Sequence, residues 1–316
     1  MRIRDLTRPV AAVSLRFSYG GAFVAVSFLA ALAGGTVHGQ GLPVLKTPSA
    51  VYEINEDGTG WKKVVTPGEF SRIGSLRPTS DGARLCFDGV KAGEAWSDAM
   101  LLSCRMDGSD LQVHGHGAMP NLSPDGKRLS YCSYDDQTVR IRNLEDQTET
   151  VVEPGWGVQW SPVSNQIAYV VGGGSVVVRD LETSERRTLF PADSSPYDSV
   201  SFNMAWSHDG RQIAVQGRRP GGVREIAVVD AQGAEFGFRP VSPMSTVSNF
   251  LAFHPSGRKI AFQAYLKGTK GPQIYVVDLD QRNEPQRLAG QPADFDNVGA
   301  AWVDGGRKLL VIGQQR

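Results

Sequence analysis

The chain has 316 residues, with 33 basic side chains against 33 acidic ones and a formal net charge of zero. This neutral balance argues against a nucleic-acid partner, which needs a basic stripe. Three cysteines are too few, and odd in number, for a disulfide framework, whereas 36 glycines and 18 prolines supply the turns of a β-rich fold.

The first segment carries Arg2, Arg4, Arg8 and Arg16 opposed by Asp5 alone. An apolar run from Gly21 to Ala33 follows, then small residues through Gly34 and Gly35 to Gly39. That order is the n-region, h-region and cleavage site of a secretory signal, predicted to span residues 1–39. The alternative is an uncleaved anchor, for which the run falls short of the ~20 residues a spanning helix needs. Residues 40–316 then form one domain, large enough to bury a sizeable core.

Val51 to Val65 reads as strand, Asp57-Gly58 turn, strand. A longer unit follows, clearest at Leu122-Ser-Pro-Asp-Gly-Lys-Arg-Leu-Ser-Tyr131. Pro124 presets its φ, Asp125 and Gly126 supply the turn, and Leu129 and Tyr131 alternate with Ser130 as a strand requires. Six copies align on Gly82, Gly126, Ser164, Gly210, Gly257 and Gly306, spaced 38 to 49 residues apart. Four residues before these anchors stand Leu122, Trp160, Trp206, Phe253 and Trp302, with Pro78 in the first copy; three residues after stands Leu or Ile. Both positions read as core, and the Ser-Pro-Asp-Gly segment reads as a structural turn, not a catalytic pair. A repeat of this length with strand patterning predicts a β-propeller.

Calling the four strands of a repeat A to D, there are six A–B pairs but only five C–D pairs after them. The Val51–Val65 hairpin supplies the missing pair. The predicted fold is therefore an all-β, six-bladed propeller whose last blade is shared by N- and C-terminal strands, which removes the open edge. Cys86 and Cys104 fall on neighbouring strands. A cross-strand bridge and a pair of small buried thiols are both compatible with that, and the Ala or Ser found at the Cys86 position in other repeats favours thiols.

Trp206-Ser-His-Asp-Gly-Arg-Gln-Ile-Ala-Val215 and Phe253-His-Pro-Ser-Gly-Arg-Lys-Ile-Ala-Phe262 resemble the TolB-type, WD40-like propeller repeat. The resemblance runs from Val51 to Gly313. It implies a propeller without the α/β domain that precedes it in TolB, and a periplasmic or secreted module for protein interaction. Similar repeats occur in prolyl-oligopeptidase-like enzymes and in oligogalacturonate lyases.

No nucleophile elbow, phosphate loop or dinucleotide fingerprint is present, and no cofactor is expected. His114 and His116, two apart on a strand, are the one metal-like spacing, and no third ligand accompanies them. Asn55 to Gly58 and Asp107 to Asp110 read as turns, not calcium loops. Binding groups are expected on the face of the D–A and B–C connections, where irregular loops gather. The A-strand entries there offer Arg72, His116, Trp156, Asn203, Asn249, Asp296 and Asn297; the B–C loops add Arg218, Arg219, Lys267 and Lys270. Trp156 stands out because most other repeats carry a smaller group at its register. The expected function is an exported, monomeric, non-enzymatic module that binds an envelope protein, peptide or glycan. The alternative is a metal-dependent carbohydrate lyase acting at the channel mouth.

Overall fold

The computed structural model describes residues 47–316, apart from 173, 192, 234–236, 245–247, 267 and 282–283 and the side chains of 242–249. The expected signal in residues 1–39 and the rim residue Lys267 lie outside the described residues. Among them no helix is long and apolar enough to cross a membrane.

The chain begins with β1 (Ala50–Asn55) and β2 (Lys62–Val65), then builds blades in sequence. The first blade is β3 (Phe70–Pro78), β4 (Arg84–Lys91), β5 (Met100–Arg105) and β6 (Gln112–His116). The second is β7 (Ala118–Leu122), β8 (Arg128–Cys132), β9 (Thr138–Asn143) and β10 (Glu149–Pro154). The third is β11 (Trp156–Trp160), β12 (Gln166–Val171), β13 (Ser175–Asp180) and β14 (Arg186–Leu189). In the fourth the A strand is split into β15 (Ser199–Val200) and β16 (Ala205–Trp206), followed by β17 (Gln212–Arg218), β18 (Arg224–Asp230) and β19 (Phe238–Met244). The fifth is β20 (Ser248–Phe253), β21 (Lys259–Ala264), β22 (Gln273–Asp278) and β23 (Gln286–Arg287).

The last sheet runs β2-β1-β25-β24, joining the first hairpin to β24 (Phe295–Val303) and β25 (Lys308–Gln315). The β1–β25 ladder is unbroken from Ala50 opposite Gly313 to Asn55 opposite Lys308. The six-bladed propeller closed by both termini is therefore as the strand count predicts. The A strands contact one another from the first blade to the third and from the fourth through the sixth back to the first. The core lies between blades: Val51, Val65, Leu310 and Ile312 of the closing blade pack on Ile73, Leu76, Leu85 and Phe87 of the first, and Ile54, Trp302 and Leu309 pack on Ala261 and Ile274 of the fifth.

The A–B turns are held by their own side chains. Ser123 Oγ donates to Asp125, which accepts from the N–H of Lys127, and Ser123 Oγ accepts from the N–H of Arg128. Ser207 with Asp209 and Thr79 with Asp81 repeat the pattern. These hydroxyls tie each turn to its own carboxylate. Asp57 and Asp107 likewise hold the residues two ahead of them in C–D turns. Cys86, Cys104 and Cys132 are free and buried. Cys86 lies opposite Ser103 and Cys104 opposite Leu85, so the two are one register apart. Burial pushes the Cys86 and Cys132 thiols up to about 12.

A second repeat lies within the A strands. Their pairing with the B strands shifts register in the first, second, third, fifth and sixth blades. Seven residues before each of these anchors stands a residue of positive φ: Ser75 (52°), Met119 (57°), Gly157 (76°), Phe250 (55°) and Gly299 (74°). Three of the five are not glycine, and each such residue costs on the order of 1 kcal/mol or more. In the fourth blade the break between β15 and β16 takes the place of the bulge. Neighbouring blades cap A-strand backbone groups at and beyond the bulge: Asp88 accepts the Met119 N–H at 2.7 Å, and past it Asn121 Oδ1 accepts the Trp160 N–H at 2.6 Å.

Candidate functional site

Past the bulge, each A strand runs along the central channel toward the A–B turns. A cavity of about 630 Å³ opens at that end. Two adjacent positions of every blade line it. Five residues before the anchors these are Arg77, Asn121, Gln159, Ala205, Ala252 and Ala301. Polar side chains thus stand on three consecutive blades and alanines on the other three, so that room is left on the alanine side. Four residues before the anchors come Pro78, Leu122, Trp160, Trp206, Phe253 and Trp302. The aromatics at this position are buried, as a core reading requires, yet they also border the cavity. The Trp206 indole N–H reaches the Gln159 carbonyl at 3.4 Å, whereas the indole nitrogens of Trp160 and Trp302 are buried without a hydrogen-bond partner.

Arg77 crosses the channel floor from the first blade to the fourth. Its Nη2 donates to the Met204 carbonyl at 3.4 Å and its Nη1 to the Leu76 carbonyl at 3.3 Å. Gln159 Nε2 donates to the same Met204 carbonyl, so blades one and three converge where the A strand of blade four is broken. Burial pulls the guanidinium down to about 10, against the opposing pull of Asp88, which leaves it charged at neutral pH. Asp88 is itself 3% exposed, and burial pushes its carboxyl above the ordinary range.

Among the described residues, none of those expected to form the working rim lines this cavity. His116 is exposed and borders a separate cleft of about 430 Å³ with Glu69, Lys91, Glu94 and Asp98. Arg72 is half-buried on β3. Trp156 is 8% exposed, its ring edge-on to Tyr134 at 5.0 Å. Asn203 and Asn297 are buried, and Asn297 Nδ2 donates to Gln291 Oε1 at 3.1 Å. Asn249 is placed on β20 opposite Gln263. Asp296 pairs with Arg316 at 2.6 Å. Arg219 pairs at 2.7 Å with Glu225, which also accepts from the Tyr197 hydroxyl. Arg218 is half-buried with Nε lacking a partner, and Lys270 is exposed. His114 is half-buried with Nε2 2.8 Å from Ser103 Oγ, and burial holds it below the ordinary imidazole range. The described residues contain no group of three or more His, Cys, Asp or Glu able to hold a metal ion.

The sequence pattern carried a signal for the cavity that the rim reading missed. Arg77, Asn121 and Gln159 occupy one column of the repeat, where the remaining copies have alanine. Bulky polar groups next to core aromatics, on one half of a ring only, mark an asymmetric channel.

No protein-family model matches the chain. No curated protein matches it. Solved structures do. A candidate TolB from Agrobacterium tumefaciens superposes with a TM-score of 0.64 at 15% identity, over 85% of this chain and 99% of that one. TolB from Acinetobacter baumannii gives 0.58 at 14% identity, over 85% of this chain and 64% of that one. An oligogalacturonate lyase in complex with manganese gives 0.51 at 12% identity, over 81% of this chain and 80% of that one. At these identities the likeness is one of fold.

Proposed function

We propose that the chain is an exported propeller module that binds a protein, peptide or glycan partner in the cell envelope, seated at the A–B-turn end of the channel. The observation that carries this reading is the cavity wall. Trp160, Trp206, Phe253 and Trp302 border a concave site of about 630 Å³, within the size range of ligand pockets. An aromatic wall beside the polar Arg77, Asn121 and Gln159 suits a partner that brings both apolar surface and polar groups. The basic, apolar and small-residue order of residues 1–39 supports export to the periplasm or beyond. The lyase alternative would need histidines gathered on one ion. His114 is engaged by Ser103, while His208 and His254 belong to the A–B turns of blades four and five, at the opposite end of the ring from His116.

Site-specific photo-crosslinking tests the choice of face. A crosslinker at Ser80 or His208, both exposed at the cavity mouth, is expected to capture one shared partner from envelope extract. Crosslinkers at Lys270 and His116 are expected to capture little. Capture confined to Lys270 and His116 would move the binding face to the other end, and no capture at any of the four would remove the binding reading.

A further inference from the structure

Resting on that reading, we infer that the cavity receives a carboxylate carried on an apolar stem, and that Arg77 is the group that binds it. The argument starts from the charges in the lining. Among the described residues two permanent cations border the cavity, Arg77 and Lys308. Lys308 is paired with Glu53 at 3.1 Å. Arg77 makes no direct ion pair among the described residues: Asp88 acts on it electrostatically without lying within ion-pair distance, and a buried charge lacking a contact partner is costly. Of the carboxylates in the lining, Glu53 also holds Lys62, Asp304 is bound to Arg307, and Asp81 holds Thr79 and the Ala83 N–H. Each is committed to its own turn or strand.

The guanidinium carries five N–H donors, and two backbone carbonyls accept from it at 3.3 and 3.4 Å. Those bonds lie beyond the usual 2.7–3.2 Å of a good N–H···O contact, so they hold the side chain in place without satisfying it. A carboxylate offers the matching planar, bidentate acceptor. Room for it exists because Ala205, Ala252 and Ala301 face the polar half of the ring. The stem must be apolar, since the aromatic belt stands between the floor and the mouth. Two sources share this chemistry: the C-terminus of a peptide ending in an apolar residue, and a small free aryl or alkyl acid.

The test uses the full chain and two matched probe pairs, followed by calorimetry and tryptophan fluorescence. The first pair is acetyl-Ala-Ala-Phe as free acid and as C-terminal amide; the second is 3-phenylpropanoate and its amide. The acid should bind more tightly than its amide by roughly 10- to 100-fold, the discrimination expected of charge-assisted hydrogen bonds. Preference confined to the tripeptide identifies a peptide terminus, and equal preference in both pairs identifies any apolar acid. Arg77→Gln should abolish the discrimination and Arg77→Lys should retain part of it, each checked for an unchanged far-UV spectrum. If the floor strut is essential and Arg77→Gln does not fold, the acid–amide comparison on the unaltered protein still decides. Equal binding of acid and amide, binding of neither, or discrimination that survives Arg77→Gln in folded protein would overturn the inference. A partner captured through Ser80 alongside any of these results would leave the binding-module reading standing without it.

Discussion

Ile54 tests the ring closure at a single residue. It lies on β1, is fully buried, and packs with Leu309, Val311 and Trp302 of the C-terminal strands. If the N-terminal hairpin completes the last blade, truncation to Ala removes three carbons from that contact. At about 0.8 kcal/mol per methylene the transfer contribution is roughly 2.4 kcal/mol, and incomplete collapse of the void adds about 1. The expected loss is therefore about 3 kcal/mol. In a domain of this size each kcal/mol moves the midpoint by roughly 2–4 °C, so thermal melts should shift down by roughly 6–12 °C. Val151→Ala on the outer strand β10, where the side chain is 53% exposed, serves as the control and should change stability by less than about 0.5 kcal/mol. An Ile54→Ala protein that melts with the unaltered chain would refute the closure, because a detached hairpin has no packing to lose.

Trp156→Ala should cost about 3–5 kcal/mol in denaturant titrations, since the ring is buried against Tyr134; a neutral result would return Trp156 to the solvent-facing rim. Hydrogen bonds from Thr79, Ser123 and Ser207 hold the carboxyls of Asp81, Asp125 and Asp209 below the usual range. Their contribution is present above the unfolded carboxyl value of about 3.9 and is lost as pH falls through the lower folded values. Stability followed by circular dichroism should therefore be level near neutrality and decline below about pH 4, and a decline centred near pH 6 would point to other groups. Ser207→Ala should cost about 1 kcal/mol in thermal melts and raise the apparent Asp209 pKa measured by NMR. Protein recovered from the envelope fraction should have an intact mass lacking about 39 N-terminal residues; a full-length cytosolic species would exclude the leader.

The architecture was legible because its determinants are local. Turn residues recur at fixed offsets, strands alternate, and an excess of A–B pairs leaves one blade to be finished by the first hairpin. The bulge was not legible, because Ser75, Met119 and Phe250 adopt a conformation that only Gly157 and Gly299 advertise. Without the bulge, the column holding Arg77 cannot be assigned to the channel floor. Asn297 looks like a rim residue in sequence, yet Gln291 gives it a buried partner. Trp156 is an outlier in its column because Tyr134 of the preceding blade packs against it, a contact that sequence spacing does not reveal.

The ladder joining Ala50 to Gly313 has a kinetic consequence. Every other strand pairing can form from sequence already available, but this one must wait until the C-terminal strands arrive. Contacts of such separation form slowly, because the loop they close is nearly the whole domain. Through that interval β1 presents a bare, apolar edge containing Val51 and Ile54, a template for the wrong strand. Lys62 and Lys63 on β2 stand exposed beside it and place positive charge along the hairpin for as long as the circle is open. Joining the present termini and cutting at an A–B turn would make that ladder an early, internal pairing and move the wait to a different blade.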